Sequence, residues 1–400
     1  MVQVTDTEEI VAIDANPAEI DGDGPSSHGY LYSPQTLLRR IEKVRAAMEE
    51  KEIDSLLISH PDNRRYMSGF SGHDAPPLDT AGFFLIGPDD LCLITDGRYD
   101  IQAAGELRRE LGVKVVVRSG KLVPTIAEQI QARNCKRLGF ETAHLLHLWW
   151  SGLVEALPET KLVPTQKLVE PLRLMKDEDE LRIIRRAIKI SDEAFNIVSR
   201  RVEAGMTEKQ VAWEIEKTMR DLGAEDRAFG TIVAAGPNGA MAHAVPGDRP
   251  IQEGEPIVID MGAKLDGYNS DMTRTLFLGE PTDKFREIYN TVLKAHLNAE
   301  EKLKAGVGGV EGDAYSRDVI AEAGYGDYYT HSLGHGIGLE VHEGPSLSRL
   351  SEDTIPENAV TSVEPGIYIE GWGGVRIEDL VLFRADDVEV LTKADKHLYY

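Results

Sequence analysis

Cysteine is nearly absent from this chain: Cys92 and Cys135 are the only two in 400 residues. Neither sits in a Cys-x-x-Cys or similar pairing, and Cys92 falls inside the apolar run LCLITD. A disulfide framework is therefore not expected, and a reducing compartment fits. Positive charge is also scarce, with 44 Lys and Arg against 68 Asp and Glu and a formal charge of −24. That balance argues against nucleic acid or an anionic membrane as the partner; its plain reading is a solvated acidic surface. No apolar stretch approaches the roughly 20 residues of a membrane span. The N-terminus also lacks the basic and apolar blocks of a secretory signal, so the expected location is the cytoplasm. What remains is ordinary globular composition, 42% hydrophobic and 28% charged. The length exceeds one ordinary core and predicts two domains.

Residues 1–29 are acidic, carry DGDGPSSH near their end, and read as a loose extension. A first helix follows, with Ser33 as cap, Pro34 at the first helical position and Leu37, Ile41, Val44 and Met48 on one face. The runs DSLLIS, AGFFLIG, DLCLITD, VKVVV and KRLGFET read as strands, alternating with helical YDIQAAGELRREL and PTIAEQIQAR. This order predicts an α/β domain over 30–165, in which nothing collects ligand-type residues at coordination spacing. A linker broken near Pro171 then feeds a long helix with Leu181, Ile184, Ile188 and Phe195 on one face. The next helix carries a capping box, Thr207 and Gln210, with Gly223 at its end. Strand pairs and two further helices complete an α+β domain over 166–400.

Five side chains in this second half can bind metal: Asp260, Asp271, His335, Glu364 and Glu378. They lie in VIDMGAKLDGYNSDMTRT, THSLGHGIGLEVHEGP and SVEPGIYIEGWGGVRIEDL. In the first run Asp266-Gly267 is a strong two-residue hairpin signal. With that turn Asp260 faces Thr273 and Asp271 faces Gly262, so both acids lie on one side of the hairpin. In the third run a turn centred on Gly371 places Glu364 opposite Glu378. Each is flanked by apolar residues, where a lone carboxylate is costly to bury. His335 sits between Gly334 and Gly336, which permit close approach. Any one of these residues alone is more ordinarily a turn, surface or ion-paired group, with Arg376 and Arg274 as available partners. Together, four acids and an imidazole are oxygen-rich for a single zinc and suit two divalent ions side by side, the equipment of a metal-dependent hydrolase.

These motifs resemble those of the pita-bread metallopeptidases: Xaa-Pro aminopeptidase, prolidase and, more distantly, methionine aminopeptidase. The likeness covers about 170–400, and NRRYMSGFSG and LITDGRYDIQA extend it to the N-terminal domain of the first two. It implies a creatinase/prolidase-type α/β N-terminal domain followed by an α+β pita-bread catalytic domain. It implies that Asp260 binds one metal through both oxygens, that Asp271 and Glu378 bridge two, and that His335 and Glu364 hold the second. By the same likeness Glu364 handles the proton of the attacking water. His243 and His342 are implied as catalytic and, with His331, as substrate-binding; Arg376 joins them as a substrate-binding candidate. The implied cofactors are two divalent ions, Mn²⁺ first, with Co²⁺ or Zn²⁺ as alternatives. The implied partners are short proline-containing peptides and a second copy of the chain.

The wording of LITDGRYDIQA and GIYIEGWGGVRIED favours the aminopeptidase over the dipeptidase. A metal-dependent dimethylsulfoniopropionate lyase is a non-peptidase alternative within the same fold. Creatinase works without metal, and related chaperone domains lose the ligands, so the complete set stands against both.

Overall fold

The computed structural model describes residues 30–75 and 77–396; the acidic extension at 1–29 lies outside them. The first helix is Pro34–Glu50, its N-terminus closed by the Ser33 hydroxyl accepting from the Thr36 N–H. Leu37, Ile41, Val44 and Met48 form its buried face, as the 3.6-residue period requires.

Six strands follow: β1 (Ser55–Ile58), β2 (Phe83–Ile86), β3 (Leu91–Asp96), β4 (Lys114–Arg118), β5 (Arg137–Glu141) and β6 (Lys161–Thr165). They form one sheet in the order β4-β3-β2-β1-β5-β6. β2 runs antiparallel to both neighbours and the remaining pairs are parallel. The inner strands β1, β2 and β3 read as unbroken apolar runs because both faces are covered. Leu57, Phe83, Leu85 and Ile94 pack with Ile126, Ile130 and Leu153 of the helices Leu122–Ala132 and His147–Ala156. Leu56, Ile58, Phe84 and Leu93 turn the other way, into the cluster that holds the first helix.

Two expectations change here. YDIQAAGELRREL is not one helix: Asp100–Glu106 ends at an extended Leu107, and Arg109–Leu111 forms a separate 3₁₀ turn. Gly105 weakens the helix just before the break. At the break Arg108 donates through Nε and Nη2 to the Tyr32 carbonyl, 3.0 and 2.7 Å away. The second change is a helix, Pro61–Ser68, inside the segment taken only as a motif. Pro61 opens it and Gly69, at φ +79°, closes it.

The sheet ends at Thr165, and we propose the linker from 166 onward as the start of the second domain. Its long helix, Glu178–Ser199, is capped reciprocally by Asp177 and Glu180. Glu208–Asp221 has the expected Thr207–Gln210 box, with Gly223 in the left-handed region just past it. A three-stranded sheet joins Ile232–Ala235, Pro256–Met261 and Met272–Phe277. After the helices Asp283–Lys302 and Gly309–Glu322 comes a five-stranded sheet containing Gly334–Gly336, Val360–Val363 and Asp379–Phe383. Helix pair, sheet, helix pair, sheet is the order the sequence predicts.

A buried cation locks the two sheets together. Arg274, on strand Met272–Phe277, donates to Asp379 Oδ1 at 2.7 Å and to the Glu378 carbonyl at 2.5 Å, with both charged side chains fully buried. His296 and Lys396 also meet Asp379, so removing Arg274 leaves that acid partly compensated. Arg274→Met is expected to cost about 3 kcal/mol, the low end for breaking a buried ion pair. Urea unfolding measures it; a loss under about 1 kcal/mol means that His296 and Lys396 suffice to hold Asp379.

Candidate metal centre

The first pair of acids is placed by a tight turn. Asp266 and Gly267 both have positive φ, +48° and +80°, the signature of a type I′ turn. Leu265 faces Tyr268, and farther along the ladder Asp260 faces Thr273, the register the sequence predicts. Asp271, two residues before Thr273, therefore shares a face with Asp260. The second pair follows from a turn centred on Gly371 at φ +75°. Gly366 faces Arg376 in the hairpin and Val363 faces Asp379 in the adjoining sheet, so Glu364 stands opposite Glu378 between them. The Glu378 N–H donates to the Thr273 carbonyl at 3.1 Å, which joins the two hairpins at the site.

His335 arrives from the strand Gly334–Gly336. A Cβ at Gly334 would lie 2.0 Å from the Ser362 carbonyl oxygen, and one at Gly336 2.0 Å from that of Gly344, so only glycine lets this strand sit so close. The ring's Nδ1 lies 3.1 Å from the Gly336 carbonyl and donates to it, so that Nε2 faces the acids. Nε2 is 3.3 Å from Glu364 Oε1 and 3.6 Å from Asp271 Oδ2. Ligand atoms of Asp271, His335 and Glu378 lie within 4.8 Å of one another.

With protein groups alone this cluster is electrostatically frustrated. Burial, then Glu378 and Asp260, push the Asp271 carboxyl well above its ordinary range; burial, then Glu364 and Asp260, do the same to Glu378. Burial also raises Asp260, against the pull of Arg376. Glu364 goes the other way: burial opposes ionisation, but the hydrogen bond and charge of His335 bring it to about 2. The His335 ring is correspondingly lifted to about 9, its burial outweighed by Glu364 and Glu378. Asp260 Oδ1 is buried without a hydrogen-bond partner. An orphaned carboxylate oxygen, crowded acids and an imidazole nitrogen turned toward them are what divalent cations satisfy, so the donor set fits them.

Thr273, Tyr368 and Ser362, not singled out as site residues in the sequence, join Arg376 and His331 around the cluster. Thr273 Oγ1 donates to Glu378 Oε2 at 2.6 Å and accepts from Arg376 Nε at 2.8 Å. Arg376 Nη2 donates to Asp260 Oδ2 at 2.6 Å and Nη1 to the Tyr368 hydroxyl at 2.8 Å. Arg376 thus serves Asp260 rather than Glu364 or Glu378, while Arg274 serves Asp379. The Tyr368 hydroxyl lies 2.9 Å from His331 Nε2, whose Nδ1 donates to the Ser332 carbonyl at 2.8 Å. Ser362 Oγ donates to Glu364 Oε1 at 3.0 Å. Strand alternation carried the signal: Tyr368 lies four residues beyond Glu364 on the same face, and Thr273 faces Asp260.

All five ligand candidates line one cavity of about 950 Å³, together with His243, His331, His342 and Arg376. Burial lowers the pKa of His331, and burial with the His335 charge lowers that of His342, so both favour the neutral ring. Two other ligand-type groups occur among the described residues. His296, Glu300 and Asp379 already have Lys396 and Arg274 as counter-charges. His60 and Asp62 meet Glu340, a cross-domain grouping invisible from the N-terminal sequence. His60 Nδ1 accepts from the Asp62 N–H, so its Nε2 carries hydrogen toward Glu340 and offers no lone pair.

Residues 182–385 match metallopeptidase family M24, and residues 40–175 match the creatinase/prolidase N-terminal domain. An Xaa-Pro dipeptidase of Pyrococcus furiosus is 39% identical over 363 residues, 90% of this chain and 99% of that protein. The solved Xaa-Pro dipeptidase from Bacillus anthracis aligns with a TM-score of 0.86 at 40% identity, covering 91% of this chain and 99% of its own. An X-Pro aminopeptidase from Thermotoga maritima aligns at 0.81 and 37% identity, covering 88% and 99%.

The frustrated acids set a pH dependence. A carboxyl whose folded pKa is raised holds its proton longer folded than unfolded, so stability falls as pH rises above its ordinary value near 4. His335, lifted to about 9, contributes stability below its ordinary value that is lost as pH climbs through 9. Chelator-treated protein is therefore expected to melt at a lower temperature at pH 8 than at pH 6. Added Mn²⁺ should raise the melting temperature more at pH 8, and Asp271→Asn should remove most of that gain. Equal Mn²⁺ shifts in the wild type and the variant would contradict the assigned ligand set.

Proposed function

Because the chain belongs to metallopeptidase family M24, we propose that it hydrolyses the bond preceding proline in Xaa-Pro dipeptides. The likeness to Xaa-Pro dipeptidases over 90% of the chain carries this reading. Xaa-Pro hydrolysis stands as the sequence suggested; between its two forms, the weight of relatives favours the dipeptidase over the aminopeptidase. Asp260, Asp271, His335, Glu364 and Glu378 are the proposed holders of two divalent ions, Mn²⁺ first. Such ions supply Lewis acidity, lowering the pKa of water and polarising the scissile carbonyl.

The chain's own groups then have distinct tasks. Glu364 accepts the water's proton and passes it toward the leaving imide nitrogen. That nitrogen is tertiary in the substrate and must be protonated to depart. His342 and His243, at the cavity wall, donate to the developing oxyanion. His331, its tautomer set by Ser332, faces substrate beside Tyr368 and Arg376. Thr273 and Arg376 hold Glu378 and Asp260 in place. Proline's ring lacks the N–H that general peptidases need, which leaves such bonds to a dedicated site.

No helix among the described residues is long and apolar enough to cross a membrane. Both cysteines are free and buried, which supports our placing the protein in the cytoplasm. A homodimer is the assembly we propose, and sedimentation of the metal-loaded protein tests it.

Mn²⁺-loaded protein should cleave Ala-Pro faster than Ala-Pro-Ala, and His342→Ala should lower kcat by about 100-fold or more. Cleavage of the tripeptide alone would return the aminopeptidase reading. Dimethyl sulfide release from dimethylsulfoniopropionate, with no proline released from either peptide, would replace both by the lyase.

A further inference from the structure

His342 has no hydrogen-bond partner for its ring among the described residues. The ring meets the edge of His335, with centroids 4.2 Å apart at 78°. Its direction is therefore inherited from the main chain on either side. That segment is gripped from two directions. On the side of the first hairpin, Asn269, two residues before Asp271, donates through Nδ2 to the carbonyls of Gly338 and Leu339 at 3.1 and 2.8 Å. On the other side stands the linker, with Arg173 as its anchor.

Arg173 is 3% exposed. Its Nη2 donates to Glu340 Oε2 at 2.8 Å and also to Glu343 Oε2, two carboxylates that bracket His342 in the chain. Its Nη1 donates to Asn63 Oδ1 at 2.9 Å. Asn63 Nδ2 in turn donates to Glu141 Oε1 at 2.7 Å, at the end of β5, and to Glu170 Oε1 at 2.9 Å. Lys176, wholly buried, donates to the other oxygen of Glu343 at 2.8 Å. His60 Nε2 lies 3.4 Å from Glu340. Arg173 and Lys176 offset Glu340 and Glu343, and the guanidinium fork joins both flanks of His342, through Nη2, to Asn63 of the N-terminal domain, through Nη1, a span an ammonium cannot reproduce.

We propose that Arg173 is a positioning residue for His342, acting through Glu340 and Glu343, so that the N-terminal domain and linker set the geometry of hydrolysis in the second domain. The inference rests on His342 acting in that hydrolysis as described above. It gives the N-terminal domain a task within its own chain, separate from any contact with a second copy.

The test uses Arg173→Lys, which keeps the charge balance but not the fork, in the full-length metal-loaded protein. On Ala-Pro the variant should bind metal as the wild type does and lose on the order of 10- to 100-fold in kcat, the scale of a misplaced catalytic group. In a His342→Ala background the same change should cost almost nothing more, because the two residues act as one unit. An equal loss in both backgrounds overturns the proposal and makes Arg173 merely structural. Histidine-ring ¹H–¹³C spectra of Zn²⁺-loaded protein give a readout independent of turnover. Arg173→Lys should move the His342 signal, identified by its absence in His342→Ala, and leave that of His331 in place. An unmoved His342 signal overturns the positioning role, whereas failure of the wild type to cleave any Xaa-Pro peptide overturns only the substrate reading.

Discussion

Four carboxylates held within one small, largely buried cluster repel one another, and burial strips away the water that would screen them. Asp260, Asp271 and Glu378 are all driven toward their neutral forms, and His335 is drawn toward its charged one. A fold that assembles such a group from two hairpins and a third strand has committed to cations there. The surrounding hydrogen bonds follow from that commitment. Thr273 and Ser362 donate to Glu378 and Glu364, and Arg376 donates to Asp260, each leaving other carboxylate oxygens for metal.

The register of the two hairpins does most of the positioning. A slip of one residue in either would turn an acid to the opposite face and dismantle the cluster. Both registers are pinned by turns whose backbone requires positive φ, at Asp266-Gly267 and at Gly371. Arg274 then couples the hairpins from behind, bonding the Thr273 and Glu378 carbonyls and the Asp379 side chain. The proposed metal ligands are thus held by backbone geometry and a buried ion pair, independently of any metal.

Much of this was legible in the sequence because it depends on short-range rules. The two-residue turn, strand alternation and the capping residues Ser33, Thr207 and Gln210 act within a few positions. The glycine-flanked His335 was legible for the same reason, since the approach of Ser362 and Gly344 needs hydrogen in place of a side chain. What stayed hidden depends on distant segments. The break at Leu107 is held by Arg108 reaching Tyr32, and Arg173 links Asn63 to Glu340 and Glu343 across 110 to 170 positions. Glu340 looked like one more acid until the N-terminal domain brought His60, and the linker Arg173, to it. Tyr368 lay within reach of the alternation argument, but its partners His331 and Arg376 come from separate strands and loops.

The central claim is that these five side chains form one two-ion centre. Anomalous diffraction from crystals grown with Mn²⁺ tests it most directly. The account requires two peaks roughly 3.5–4 Å apart, the usual spacing of two-metal hydrolytic sites, one beside Asp260 and the other beside His335 and Glu364, with Asp271 and Glu378 between. A single peak, or density only at the His296–Glu300–Asp379 group, would contradict it.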